Sequence, residues 1–480
     1  MEQKKLSLLD AVMLVSGSMI GSGIFIVSVF MARDVGSAGW LLFLWLLTGF
    51  ITIIAALSYG ELAGMMPKAG GQYVYLKRAF GSFVAFLYGW TVFSVIQTGV
   101  IAAVAVAFAK YTAVFFPSLQ LSAIQEFGIT ITWAQLVAIG LIVFLTWINS
   151  RGIQSGKLIQ LVFTSSKLLA LLVLILLGIA MAFKTDVLSQ NFTNMWQASS
   201  TKIVEGKVFV EQIAGIALLG ALGATIINSL FSSDAWNNVT FIAGEIENPG
   251  KNIPRSLVIG TVIVTILYIL ANVAYMALLP LKGNAEATDV FGQGIQFAAN
   301  DRVGTAAASV IFGDTAIVLM AALIMISTFG CNNGIILAGG RLFQAMALDG
   351  LFFKKAASLN SKNVPALALW IQGLWASVLC LSGKYSDLLT YATFASLLFY
   401  ILTITGLFVL RKKEPDTPRP YKAWGYPIIP AIYILVTAAI CVDLLIYDSR
   451  NTQMGLLIVA FGIPVYYLWR WNSRRRNSVE

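Results

Sequence analysis

Apolar runs of about 20 residues recur from residue 8 to residue 470 of this 480-residue chain. Each is long enough to cross a ~30 Å hydrocarbon core as a helix. A spanning segment must satisfy its own backbone, so only helices and closed barrels qualify. Barrel strands would need short alternating segments, and none are read here. Only 11% of the residues are charged and 58% are hydrophobic, whereas a soluble domain carries roughly a quarter charged residues. The sequence therefore specifies an all-α polytopic membrane protein. About twelve transmembrane helices are predicted, over residues 8–32, 38–66, 82–110, 130–149, 155–183, 209–243, 255–280, 311–347, 366–383, 386–410, 427–447 and 452–470.

The charge balance fits that reading. The net charge is +10, and the basic residues sit in short loops between apolar runs. With the N-terminus placed inside, 22 of the 32 Lys and Arg fall on that side, nine fall opposite, and Lys167 alone lies within a span. This is the positive-inside bias, so both termini are expected in the cytoplasm, and the partner is a lipid bilayer, not a nucleic acid. Cys331, Cys380 and Cys441 all fall in apolar runs and suggest neither a disulfide framework nor a metal site. There is no histidine, which removes His metal sites and His general bases. The first apolar run, to about residue 30, is too long for a signal-peptide core and is expected to stay as a span. No nucleophile–base pair, metal cluster or nucleotide-binding loop is read in the spans, so no enzyme activity and no cofactor are expected.

Two spans are irregular. The first carries GSMIGSGIF at residues 17–25, and the sixth carries NSLFSSDAWNN at residues 228–238. Small residues in membrane helices commonly serve close packing, and that is one reading of Gly17 and Gly21 taken alone. It does not explain Gly21, Ser22 and Gly23 in succession, since a packing face repeats every three or four residues. Nor does it explain a second patch at Ser232, Ser233 and Asp234. Unwound backbone at membrane depth is tolerated where it lines a cavity. The two breaks are five crossings apart, so a second five-helix unit would enter the membrane inverted. Interrupted helices at matching positions of two halves point to an inverted-repeat transporter. The halves are expected at 8–183 and 209–410, with two further helices at 427–470.

The broken ends have opposite polarity. The first half of span one ends in carbonyls at Met19 and Ile20, which carry partial negative charge. The second half begins with the amides of Gly21, Ser22 and Gly23, which attract an anion. Carbonyls of Phe231 and Ser232 add a second negative patch. An α-amino acid zwitterion matches this pair of poles, carboxylate on the amides and ammonium on the carbonyls. Two readings stand for Asp234: a functional carboxylate facing the substrate ammonium or a cationic side chain, or an N-cap for the second half of span six. Phe231 and Trp236 read either as packing aromatics or as a lid over the ligand. Lys167 lies about ten residues beyond Lys157, roughly 15 Å into the bilayer. It either snorkels or turns inward onto the carbonyls of span one, where a sodium ion could otherwise sit. The second placement gives sodium-independent transport, or a proton-carrying amine.

Five segments then carry a resemblance: GSGIF (21–25), ELAGMMPKAGGQYVYLKRAFG (61–81), EIENPGKNIPRSL (245–257), STFGCNNGIILAGGRLF (327–343) and RPYKAWGYP (419–427). In this order they resemble the amino acid–polyamine–organocation superfamily, most closely the L-type amino acid transporter branch and its bacterial relatives. The resemblance implies a LeuT-like fold of five plus five inverted helices with two extra. It also implies alternating-access amino-acid transport, often exchange, without sodium. It assigns Gly21, Ser22 and Gly23 to the carboxylate strip, Met19, Ile20 and Phe231 to the ammonium carbonyls, and Phe231 to the gate. Lys167 and Trp236 match a helix-five lysine and a tryptophan after the helix-six break. Ser232 and Ser233 depart from the family's Ala-aromatic pair, widening or polarising the pocket. Animal members join a heavy chain through a cysteine between spans three and four. Residues 111–129 contain none, so no disulfide-linked heavy chain is expected. The implied location is the cell membrane, a bacterial inner membrane by this likeness.

The expected function is secondary transport of L-amino acids by exchange or facilitated diffusion. A proton-coupled symporter of amino acids or polyamines, and a receptor that binds without transport, are the alternatives. Glu61 reads as a structural charge or a coupling residue, GGQYVY as a tight turn leading into span three, RKKEPDTPRP as a solvated loop, and Asn191-Phe192-Thr193 as a glycosylation acceptor on an outer loop or a chance triplet.

Overall fold

The computed structural model describes residues 5–126, 129–205, 207–381, 385–447 and 449–477. Ten of its helices are long and apolar enough to cross a membrane. They are Ala38–Met65, Ser82–Phe115, Trp133–Ser150, Gly156–Ala182, Gly215–Glu245, Pro249–Leu278, Thr315–Leu348, Thr390–Lys413, Ile428–Tyr447 and Thr452–Trp471. They correspond to predicted spans two to eight and ten to twelve. The predicted first span is divided into Leu8–Met19, a 3-10 turn Gly23–Phe25 and Val27–Val35, and the ninth is the shorter helix Ala366–Leu381. The chain is an all-α polytopic membrane protein.

Local chemistry sets the ends. Ser7 and Asp10 form a reciprocal capping box at the start of span one, and Thr132 and Gln135 form another at the start of span four. Span two opens on the Ser37 hydroxyl, which accepts from the Trp40 amide. Span seven starts with Pro249 in its first turn, where a missing N–H costs nothing. Large side chains such as Leu169, Leu176, Leu435, Ile446, Phe461 and Leu468 stand exposed around the bundle, as lipid-facing residues do.

Two antiparallel hairpins correct the expectation that strands are absent. Ser122–Glu126 pairs with Ile129–Thr132, and Ser199–Val204 pairs with Lys207–Gln212. Residues 130–132 and 209–212, assigned from sequence to the starts of spans four and six, are strand. They are rich in Ile, Val, Thr and Phe, which suit strands as well as membrane helices. A third irregularity, a π-helical turn at Val92–Ile96 in span three, carried no sequence signal.

The two chain ends lie on one face. Leu6 exchanges backbone bonds with Glu245 and Glu247, and Trp469 donates from Nε1 to the Gly350 carbonyl. We call this the terminal face and the opposite one the far face. Span one is packed against spans five, seven and eight and the second half of span six. The interruptions of spans one and six thus meet inside the bundle.

Candidate functional site

The first helix of span one stops at Met19 because Ile20 is extended. The next backbone bonds are Phe25 to the Ser22 carbonyl at 3.1 Å and Ile26 to the Gly23 carbonyl at 2.9 Å. The amides of Gly21, Ser22 and Gly23 therefore donate to no group among the described residues, the state of any uncapped helix start. All three residues are buried. Span six breaks after Ser232: Asp234 donates its amide to the Phe231 carbonyl at 3.2 Å, and Ala235 turns left-handed at φ 64°. A 3-10 helix, Trp236–Glu245, follows.

The two breaks touch. A Cβ on Gly23 would lie 2.3 Å from Ser232 Oγ, so only glycine allows this approach. Gly17 is different: its missing Cβ makes room for Gln160 and Thr164 of span five, which is the packing role. Gly21 has its nearest foreign atom, Cys331 Sγ, at 3.5 Å from a built Cβ.

The carbonyl pole is more occupied than the sequence suggested. Lys167 Nζ donates to the Gly17 carbonyl at 2.5 Å, the Ile20 carbonyl at 2.6 Å and the Ser327 carbonyl at 3.3 Å. It is 2% exposed, so the side chain turns inward and does not snorkel. The Ser327 hydroxyl lies 3.1 Å from the carbonyls of both Ile20 and Gly21, and Cys331 Sγ donates to the Ser18 carbonyl at 3.0 Å. The Tyr268 hydroxyl lies 3.2 Å from the Met19 carbonyl and 3.0 Å from the Ser232 carbonyl. One hydroxyl proton serves one of these at a time, so one carbonyl of the Met19–Ser232 pair is left short of a donor. Tyr268, Ser327 and Cys331 were not singled out from sequence. The signal available was a polar face on span eight, Ser327 and Cys331 at i and i+4.

A cavity of about 30 Å³ lies against this strip, lined by Ser18, Met19, Gly21, Ser22, Gly23, Phe231, Ser232, Asp234 and Cys331 together with Val100, Val104 and Ala235. It holds about one water, less than an amino acid needs. Ser22, Gly23 and Phe231 also line a vestibule of about 1070 Å³ whose walls carry Asp34, Lys110, Asp301 and Arg302 from the far-face ends. Phe231 thus borders both compartments. Of the remaining candidates, Asp234 is not the N-cap: that position is Ala235. Asp234 instead accepts from the Tyr400 hydroxyl at 2.5 Å. Trp236 lies behind, packed on Tyr59 and Tyr400 with centroids 4.8 and 5.4 Å away, and does not line the strip cavity.

The terminal face is closed by ion pairs. Glu61, fully buried, is held by Arg411 at 2.6 Å and Arg419 at 3.1 Å, and accepts from the Ala423 amide at 2.6 Å. Arg411 and Arg419 belong to the segment read as a solvated loop, and Glu61 is the buried carboxylate that draws them in. Lys77–Asp349, Arg78–Glu414, Lys157–Asp10 and Arg341–Glu245 add further links. GGQYVY turns only at Gly70 and Gly71, where Gly71 sits at φ 46° against Thr240 and a side chain would not fit; its remaining residues open the helix Gln72–Phe80. Asn191 is committed to structure, its amide donating to the Met276 and Leu279 carbonyls.

The sequence model of the amino acid permease family matches residues 6–466. The chain is 31% identical to the human large neutral amino acids transporter small subunit 2, over 97% of this chain and 80% of the relative. It is 28% identical to the mouse b(0,+)-type amino acid transporter 1, over 98% of this chain and 90% of the relative. The mouse Asc-type amino acid transporter 1 is also 28% identical, over 98% and 82%. A match of this extent, on a bundle whose two interrupted spans meet at its centre, means that the chain belongs to the amino acid permease family.

Proposed function

We propose that this protein carries L-amino acids across a membrane by alternating access, as a sodium-independent exchanger or facilitator. The observation that carries the proposal is the strip Gly21–Gly23: three buried amides without acceptors, at a helix start, beside carbonyls that lack a full set of donors. The amides suit a carboxylate. The Met19–Ser232 carbonyl pair suits an ammonium, and Ile20 and Phe231 complete the negative side. Asp234 faces the same cavity and would meet a substrate ammonium or cationic side chain. The relatives named above are amino acid transporters, which supports the same reading.

Sodium independence rests on Lys167. Its ammonium occupies the carbonyls of Gly17, Ile20 and Ser327, a place a bare cation would otherwise take. In this conformation the vestibule opens the site to the far face while ion pairs seal the terminal face, one end state of an alternating cycle. The architecture we assign is the LeuT-like arrangement of twelve spans, with repeats at 8–183 and 209–410 and two further helices at 427–470. The terminal face is assigned to the cytoplasm from the positive-inside bias. No disulfide-linked heavy chain is expected, since the segment between spans three and four has no cysteine.

The test is counterflow into proteoliposomes of purified protein, preloaded with each common amino acid, with and without sodium and a proton gradient. Sodium-independent accumulation of labelled amino acid supports the proposal. Uptake that needs a proton gradient moves the mechanism to symport, and binding without counterflow makes the protein a receptor.

A further inference from the structure

The hairpin between spans five and six has two unlike faces. Cross-strand partners share a face, and the register pairs Ile203 with Val208, Thr201 with Val210 and Ser199 with Gln212. That face has no charge. The other carries Lys202, Lys207 and Glu211 beside Ser200, Val204 and Phe209, the last two 53% and 56% exposed. The uncharged face is buried at its base, where Ser199 and Thr201 are 0% and 5% exposed. There Ser199 lies against Gly36, and Thr201 is 3.3 Å from the Gln296 side chain. Toward the tip the same face is bare: Ile203, Val208 and Val210 are 49%, 39% and 62% exposed.

A two-stranded hairpin with bare aliphatic residues is marginal in water, so the tip calls for an apolar cover. Its base marks the level. The Ile213 amide bonds the Ala198 carbonyl to close the hairpin, directly before span six begins at Gly215. The first turns of span six present Ile216 and Leu219, both more than half exposed, as lipid-facing residues are. Trp40 and Trp196 sit edge to face at the same level, where membrane aromatics gather. The uncharged face therefore lies on protein at its base and continues outward at the level of the lipid-facing belt.

We propose that the aliphatic face of this hairpin rests on the bilayer at the far face, with Lys202 and Lys207 turned to the headgroups and water. The hairpin base is joined to Gly36 at the end of span one and runs straight into span six. The bilayer thereby steadies the far-face ends of both interrupted spans.

The test places a fluorophore on Val208→Cys or Lys202→Cys in nanodiscs of mixed zwitterionic and anionic lipid; the native cysteines are buried. Quenching by lipids spin-labelled near the headgroup is compared with quenching by iodide. The expected result is at least twofold stronger lipid quenching at 208 than at 202, with the reverse order for iodide. Equal iodide access at both positions would place the tip in water and overturn the proposal. Protection of position 208 from both quenchers would mean that protein covers it, in a second copy or another subunit, and would overturn it equally.

Discussion

Replacing Lys167 by Met keeps most of the side-chain volume and removes the ammonium. The structure sets the size of the loss. Of the three contacts, the one to Ser327 is long at 3.3 Å, and the Ile20 carbonyl keeps the Ser327 hydroxyl. The Gly17 carbonyl loses a 2.5 Å charge-assisted bond outright. Bonds to charged groups contribute about 1.5–3 kcal/mol each. One full bond and part of another come to about 2–4 kcal/mol, roughly 30- to 700-fold at 1.4 kcal/mol per tenfold. If the lysine holds the break of span one in its working shape, that loss falls on transport. Counterflow per folded protein should drop by at least 30-fold, while the yield of monodisperse protein changes little. Wild-type turnover and affinity in Lys167→Met would refute the reasoning and leave the lysine as a stabilising charge only.

Gly23→Leu should abolish substrate binding, because its Cβ would collide with Ser232, whereas Gly21→Ala should fit, with the nearest atom at 3.5 Å; ligand-induced thermal shifts separate the two. Glu61→Gln breaks a buried ion pair with two arginines, a loss of about 3–5 kcal/mol, and should lower Tm and let cysteine reagents added at the terminal face reach the site more often. Hydrogen bonds from Arg78 hold the Glu414 carboxyl below its usual range. The pair therefore adds stability above the ordinary glutamate pKa and loses it as pH falls through the lowered value. The Tm gap between wild type and Glu414→Gln should close in acid.

Much of the fold was legible because a membrane allows few solutions. Runs of apolar residues gave the spans, and the small or polar clusters Gly21-Ser22-Gly23 and Ser232-Ser233-Asp234 gave both interruptions, since no regular helix face repeats at that spacing. Depth left two placements for Lys167, and its bonds to the carbonyls of Gly17, Ile20 and Ser327 select the inward one. What stayed hidden depends on contacts across the chain. Tyr268, Ser327 and Cys331 look like ordinary span residues until spans seven and eight are packed on span one. Glu61 finds its arginines some 350 residues away in sequence. The hairpin at 199–212 was masked because Val, Ile and Phe serve a strand and a membrane helix alike.

The central claim is that the Gly21–Gly23 amides hold a carboxylate. The most direct measurement is competition for the bound substrate by three analogues of it: the parent amino acid, its methyl ester and its decarboxylated amine. Only the parent should compete, with ester and amine at least 100-fold weaker. Equal competition by the amine would show that those amides hold no carboxylate.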